Sequence, residues 1–309
     1  MKNQTNPIQH LIVNVLNQPR LSWGITLLMS CFNMTSWISV LFIMLLILRK
    51  GVPAVFNLMC ANFVVNGVVN YLEVSTYQAW FNSFSDYWPS FIGAAALYYT
   101  RSWNMSGMAM LVLLIFAVLG FNVIHPDFVV HELQSFMMKA QHSMTKFPLP
   151  ISYQVLEQHI SSNFQLFGNL LMGVQIMMVI MNACINLTMA RSLQSQMFNP
   201  QGFRQEMLNL RGNRYLFLVL LASLGLVFSI KQWFLLLLIP SLMFYLFAVG
   251  LSIVVSTFAK NRMQLGLIVF VVAAMVFPYV FIPVYIVAGA LDSFIDFRYL
   301  LASRVRYTF

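Results

Sequence analysis

Long apolar runs separated by short polar connections set the pattern of this chain, and a bilayer span needs about 20 mostly apolar residues in a row. Runs of this kind fall at 21–48, 52–72, 88–100, 103–123, 164–190, 214–230, 232–258 and 263–289. The pattern predicts an all-α polytopic transmembrane helical bundle of about eight spans. Strand-like alternation is missing, which excludes a barrel whose lipid-facing and lumen-facing residues alternate. The run at 88–100 is the shortest, and Trp80, Tyr87 and Trp88 ahead of it suit an interfacial belt, so its helix is expected to reach back to about residue 79. Lys231-Gln232-Trp233 separates two runs by no more than a tight turn with an interfacial anchor. Pro278 and Pro283 are placed to break the last run into a re-entrant pair of half-helices.

One polar insert, 124–163, interrupts the apolar pattern. Its stretch 127–145 has mixed helical periodicity and is expected to lie along the membrane surface, ending at Pro148 and Pro150. The insert is too small to fold as a soluble domain. Residues 1–309 therefore read as a single integral membrane domain, with a basic connection at 191–213. Residues 1–20 are polar and the run that follows is too long for the apolar core of a signal peptide, so it reads as the first span.

Composition strengthens the membrane reading. The chain is 60% hydrophobic and 8% charged, against about 25% charged in a soluble domain, so it lacks the polar residues to cover a water-facing surface. The net charge of +9 does not point to nucleic acid, because the cations sit at span ends and not on one stripe. Arg49, Lys50, Arg101, Arg191, Arg204, Arg211, Arg214, Lys260 and Arg262 lie in four connections that contain one acid, Glu206. The positive-inside rule makes that face cytoplasmic, and the expected location is a bacterial inner membrane. Glu73, Asp86 and the insert then fall on the opposite side. Cys31, Cys60 and Cys184 have neither metal nor disulfide spacing and are expected to pack as small buried hydrophobes. The 21 methionines suit soft packing within spans. The insert's His125, His131, His142 and His159 match no tight metal-ligand motif and read as solvated.

No nucleophile elbow, phosphate-cradling glycine loop or pair of intramembrane acids is present, so neither an enzyme nor a cofactor is expected. The chemistry that does stand out is intramembrane amide. Asn62, Asn66 and Asn70 recur at i, i+4 and i+8, with Glu73 three residues on, along one helix face. In the fifth run Asn169, Gln175, Asn182 and Asn186 lie near one face. Unpaired amides are costly in hydrocarbon, so these residues face partners or a cavity. Two readings stay open. The stripes line a polar cavity between the second and fifth runs, with Glu73 at its mouth, or they bind the bundle together by interhelical hydrogen bonds.

Two polar segments are more distinctive. Asn199-Pro200-Gln201-Gly202-Phe203-Arg204 has the residues of a turn, followed by a short amphipathic stretch to Arg211. Gly289-Ala290-Leu291-Asp292-Ser293-Phe294-Ile295-Asp296-Phe297-Arg298 places Asp292 and Asp296 on one face. If the C-terminal segment is cytoplasmic, Asp292 and Asp296 are positioned to pair with Arg204 and Arg211.

On these segments, with Leu48-Arg49-Lys50-Gly51 and Thr100-Arg101-Ser102-Trp103, the chain resembles the YybS-like family of bacterial multi-pass membrane proteins. Gln201 departs from the glycine more usual there. That family is distantly similar to the substrate-binding subunits of energy-coupling-factor transporters. The resemblance implies a helical bundle that captures a small solute and docks on an ATP-driven module, although those subunits have about six spans and fold analogy does not establish function. The second expectation, from a different class, is a non-catalytic scaffold or assembly factor whose basic 191–213 connection recruits a membrane or cytoplasmic partner.

Overall fold

A computed structural model describes residues 15–73, 76–124, 128–146, 160, 162–198, 202–208, 210–231, 233–260 and 276–294. Among the described residues the chain is helical, and three segments are long and apolar enough to cross a membrane: Trp103–Ile124, Phe164–Phe198 and Trp233–Ser256. Numbered along the described chain, the helices begin with α1 (Pro19–Ser30), α2 (Ser36–Lys50), α3 (Phe56–Tyr71) and α4 (Thr76–Thr100). They continue with α5 (Trp103–Ile124), α6 (Phe128–Lys146), α7 (Phe164–Phe198) and α8 (Gly202–Leu208). The last are α9 (Arg214–Ile230), α10 (Ile239–Lys260) and α11 (Pro278–Asp292). The chain divides into two compact units, Met1–Leu113 with Val179–Met207, and Leu114–Met178 with Leu208–Phe309.

The first unit corrects the reading of 21–48 as one span. The run is a helical hairpin: α1 and α2 pack together and the chain reverses at Cys31–Thr35. Hydroxyls there take backbone acceptors that a continuing helix would use. Thr35 Oγ1 donates to the Met29 carbonyl at 2.8 Å and Ser36 Oγ to the Asn33 carbonyl at 3.0 Å. At the open end of the hairpin Arg49 Nη2 donates to Asn17 Oδ1 at 2.7 Å. The start of α1 and the end of α2 therefore share one end of the unit, where a single crossing would have separated them. Cys31 is exposed on the reversal instead of buried in a span.

α3 and α4 form an antiparallel pair beside the hairpin in this unit. Asn33 Nδ2 donates to Glu73 Oε2 at 2.7 Å, tying the end of α3 to the hairpin tip. Gly67 gives Trp80 its place: a Cβ there would lie 2.5 Å from the indole. Phe63, midway along α3, packs on Trp80 and Trp88, with ring centroids 5.6 and 6.3 Å away. α4 is continuous through Pro89 and begins at Thr76, slightly before the expected position. It closes on Arg101, a left-handed residue with φ 54°.

In the second unit the tightest packing is α10 against α11. A Cβ on Gly250 would lie 2.0 Å from the Tyr285 carbonyl oxygen, and one on Gly289 2.0 Å from that of Leu246. Two glycines thus let two backbones touch, the small-residue packing that membrane helices use in place of a hydrophobic driving force. α9 ends at Lys231 in a left-handed cap with φ 56°, and Trp233–Leu237 forms a 3-10 turn, so the expected tight turn is present. The last run is interrupted at Phe277 just before Pro278, as expected of that proline, whereas the helix runs on through Pro283. The stretch expected along the membrane surface is α6, which packs on α7 through Val129 against Gly168.

Candidate functional site

The expected asparagine stripe on α3 is present, and most of its hydrogen-bonding capacity is used inside the first unit. Asn62 is fully buried. Its Oδ1 accepts from Ser39 Oγ at 2.9 Å, and its Nδ2 donates to the Leu58 carbonyl at 2.7 Å and to Thr26 Oγ1 at 3.4 Å. One amide therefore joins α1, α2 and α3. One turn on, Asn66 Oδ1 accepts from Ser83 Oγ at 2.8 Å and from Asn70 Nδ2 at 2.9 Å, which joins α3 to α4. Asn66 Nδ2 is buried and has no partner. Glu73 is exposed at the hairpin tip on Asn33.

The other stripe is divided. Gln175 belongs to the second unit, where its Nε2 donates to Glu132 of α6 at 3.3 Å. Asn182 is exposed and Asn186 buried, both in the first unit. Among the described residues, the partners of Asn62 and Asn66 come from α1, α2, α4 and α3 itself, and none from α7.

The other end of the first unit is built from five chain segments. Gln194 Nε2 of α7 donates to the Leu48 carbonyl at 2.9 Å, and the Arg49 guanidinium lies 4.7 Å over the Phe198 ring. Tyr98 of α4 sits against Gly51, whose φ of 84° ends α2. α8 is clasped here by a residue the sequence reading did not select. Glu206 pairs with Arg191, which also donates through Nε at 3.1 Å, and accepts from Trp103 Nε1 at 3.3 Å. Phe203 meets Trp103 edge to face at 6.4 Å. The signal available in the sequence was Glu206's position as the lone acid of the basic connections.

Burial works against the Glu206 charge, but the hydrogen bond and charge of Arg191, with the Trp103 donor, outweigh it and hold the carboxyl below its ordinary range. The sign follows from linkage: a lowered carboxyl stabilises the clasp above its unfolded pKa, and that contribution is lost as pH falls through the folded value. Acidification below the ordinary carboxylate range is expected to free α8, read as a fluorescence change at Trp103, and Glu206→Gln should produce the same change at neutral pH. An identical Trp103 signal in wild type and variant across pH would rule the clasp out.

Arg20, Arg49, Lys50, Arg101, Arg191 and Arg204 therefore gather at one end with Glu206 as the acid among them, and Arg204 is exposed on α8. Arg204 lies in the first unit and Asp292 in the second. Asp292 is buried, and a Cβ on Gly212 would lie 2.3 Å from Ser293 Oγ, so the Arg211–Asn213 turn packs against the end of α11. Asn213 caps α9 and its amide donates to Tyr245 Oη at 2.7 Å. Gly202 opens α8, while Asn199, Pro200, Asp296 and Arg298 lie outside the described residues, as do His125 and His159. Among the described residues no group of three His, Cys, Asp or Glu could hold a metal ion. Compared with family models, curated proteins and solved structures, the chain matches none of them.

Proposed function

We propose that this chain is a multi-pass protein of a bacterial inner membrane that works as a non-catalytic docking platform, recruiting a partner at the basic end of its first unit. The observation that carries the reading is the Glu206 clasp. It fixes α8 against Arg191 and Trp103 and leaves Arg204 exposed among the cationic ends of α2, α4 and α7. A cationic face of this kind favours a partner of opposite charge and steers its approach. The positive-inside rule puts that end in the cytoplasm, and the hairpin adds Arg20 to it. The asparagines support the reading from the other side, since Asn62 is consumed by contacts between helices.

Solute binding in the manner of energy-coupling-factor subunits is the second reading, and one observation favours it: Asn66 Nδ2, a buried donor with no acceptor. Native mass spectrometry of gently purified protein separates the two. The docking reading expects a protein partner whose affinity falls about tenfold, about 1.4 kcal/mol, on Arg204→Glu. A small molecule that co-purifies with wild type and is lost on Asn66→Ala, with no partner sensitive to Arg204→Glu, would replace docking by solute binding.

A further inference from the structure

Asp86 lies within α4, as the expected extension of that helix back to about residue 79 implies, between Trp80 and Trp88, the two rings packed on Phe63 at the middle of α3. Val64 and Val68, the neighbours of Phe63 along α3, are among its exposed residues, an outer surface suited to acyl chains. The carboxyl is thus level with the centre of α3. Asp86 is partly buried and makes no hydrogen bond or ion pair among the described residues.

Its surroundings hold no compensating charge. Among the described residues, the elements beside α4 in this unit include α2, α3, the end of α1 at Ser30 beside Tyr87 and, through Met110 against Gly93 and Ser106 bonded to the Gly93 carbonyl, the start of α5. Their titratable groups are Arg49 and Lys50 at the end of α2, Cys60 and Tyr71 on α3, and Arg20 and Cys31 at the two ends of α1; α5 has none. On α4 itself they are Tyr77, Tyr87, Tyr98 and Tyr99. The cations beside α4 are level with Tyr98, twelve residues or about 18 Å along the axis from Asp86.

Two further polar atoms around this level of the unit are buried without a partner among the described residues: Asn66 Nδ2 and Ser85 Oγ. Pro89, three residues on, has no N–H for the Ser85 carbonyl and so leaves that acceptor open. An ionised carboxylate in hydrocarbon with no cation is prohibitively costly, and binding a proton removes the charge with no partner at all.

We propose that Asp86 is a proton-binding site of the first unit: the carboxylate takes up one proton from water to become a neutral acid within the membrane and returns it to water when it ionises. The reading is independent of docking at the basic end.

The test is dicyclohexylcarbodiimide, which partitions into hydrocarbon and modifies protonated carboxyls, applied to the full chain in its own membranes, with adducts mapped by peptide mass spectrometry. The expected result is an adduct on Asp86 that is strongest at acid pH and declines as pH rises, is retained in Asp86→Glu and is absent in Asp86→Asn. Because the wild-type pattern is itself the readout, a variant that fails to fold leaves the test intact. No adduct on Asp86 at any pH would overturn the proposal. So would modification by a water-soluble carbodiimide as fast as at exposed Glu73, which would make Asp86 an ordinary hydrated acid. Protection by sodium ions at fixed pH would assign the site to a metal cation instead.

Discussion

Gly289→Leu is expected to abolish the packing of α11 on α10 and to cost about 3 kcal/mol or more, beyond the usual range for overpacking. The reason lies in what the new side chain meets. Its Cβ would fall 2.0 Å from the Leu246 carbonyl oxygen and 3.0 Å from the Gly250 amide nitrogen. Both are backbone atoms of a helix, so no rotamer change relieves the clash and the helices must separate. Separation also exposes the facing Gly250 and withdraws Tyr285, which is 1% exposed, from Phe247. The measurement is the thermal midpoint of the detergent-solubilised protein, together with its monodisperse yield. Gly225→Ala is the control, since nothing lies within 4 Å of a Cβ there and the helix gains about 0.5–1 kcal/mol from losing a mid-helix glycine. A Gly289→Leu protein with the wild-type midpoint would mean that the α10–α11 contact is not as close as described.

The second large effect is expected at Asn62. Asn62→Ala removes the acceptor for Ser39 and the donor to Thr26 and Leu58 in a position with no access to water. Breaking that junction of three helices should cost about 2 kcal/mol, between the net value of interhelical bonds in membranes and the penalty of stranding a buried partner. A double-mutant cycle with Ser39→Ala isolates the pair, and a coupling of about 1 kcal/mol is expected. Coupling near zero, with stability unchanged in Asn62→Ala, would remove the structural role and return this asparagine to a ligand-facing one. The contrast with Asn66 is instructive. It lies on the same face, one turn away, yet its Nδ2 has no acceptor among the described residues, so the stripe is part junction and part open polarity.

The helical membrane character of the chain was legible from its sequence because it depends on local composition alone. Runs of apolar residues, few charges and cations at the breaks need no knowledge of what packs on what. The tight turn at Lys231, the helix beginning at Phe128 and the break before Pro278 were legible for the same reason: each follows from residues adjacent in the chain. The alignment of Asn62, Asn66 and Asn70 followed from helical periodicity.

What each of those residues touches was decided by tertiary structure. The reversal at Cys31–Thr35 is apolar enough to pass as the middle of a span. It becomes a hairpin tip because Asn33 meets Glu73, forty residues on, and because Arg49 meets Asn17 at the other end. Glu206 looked like a stray acid until α8 was laid on Trp103 and Arg191. Asp86 fell outside the apolar run at 88–100 because its flanking Trp, Asn and Ser residues lower the local hydropathy. Only the packing of Phe63 on Trp80 and Trp88 brings that stretch level with the centre of α3. Hydropathy averages over neighbours in the chain, whereas a carboxylate's energy depends on neighbours in space, and those are set by the pairing of distant helices.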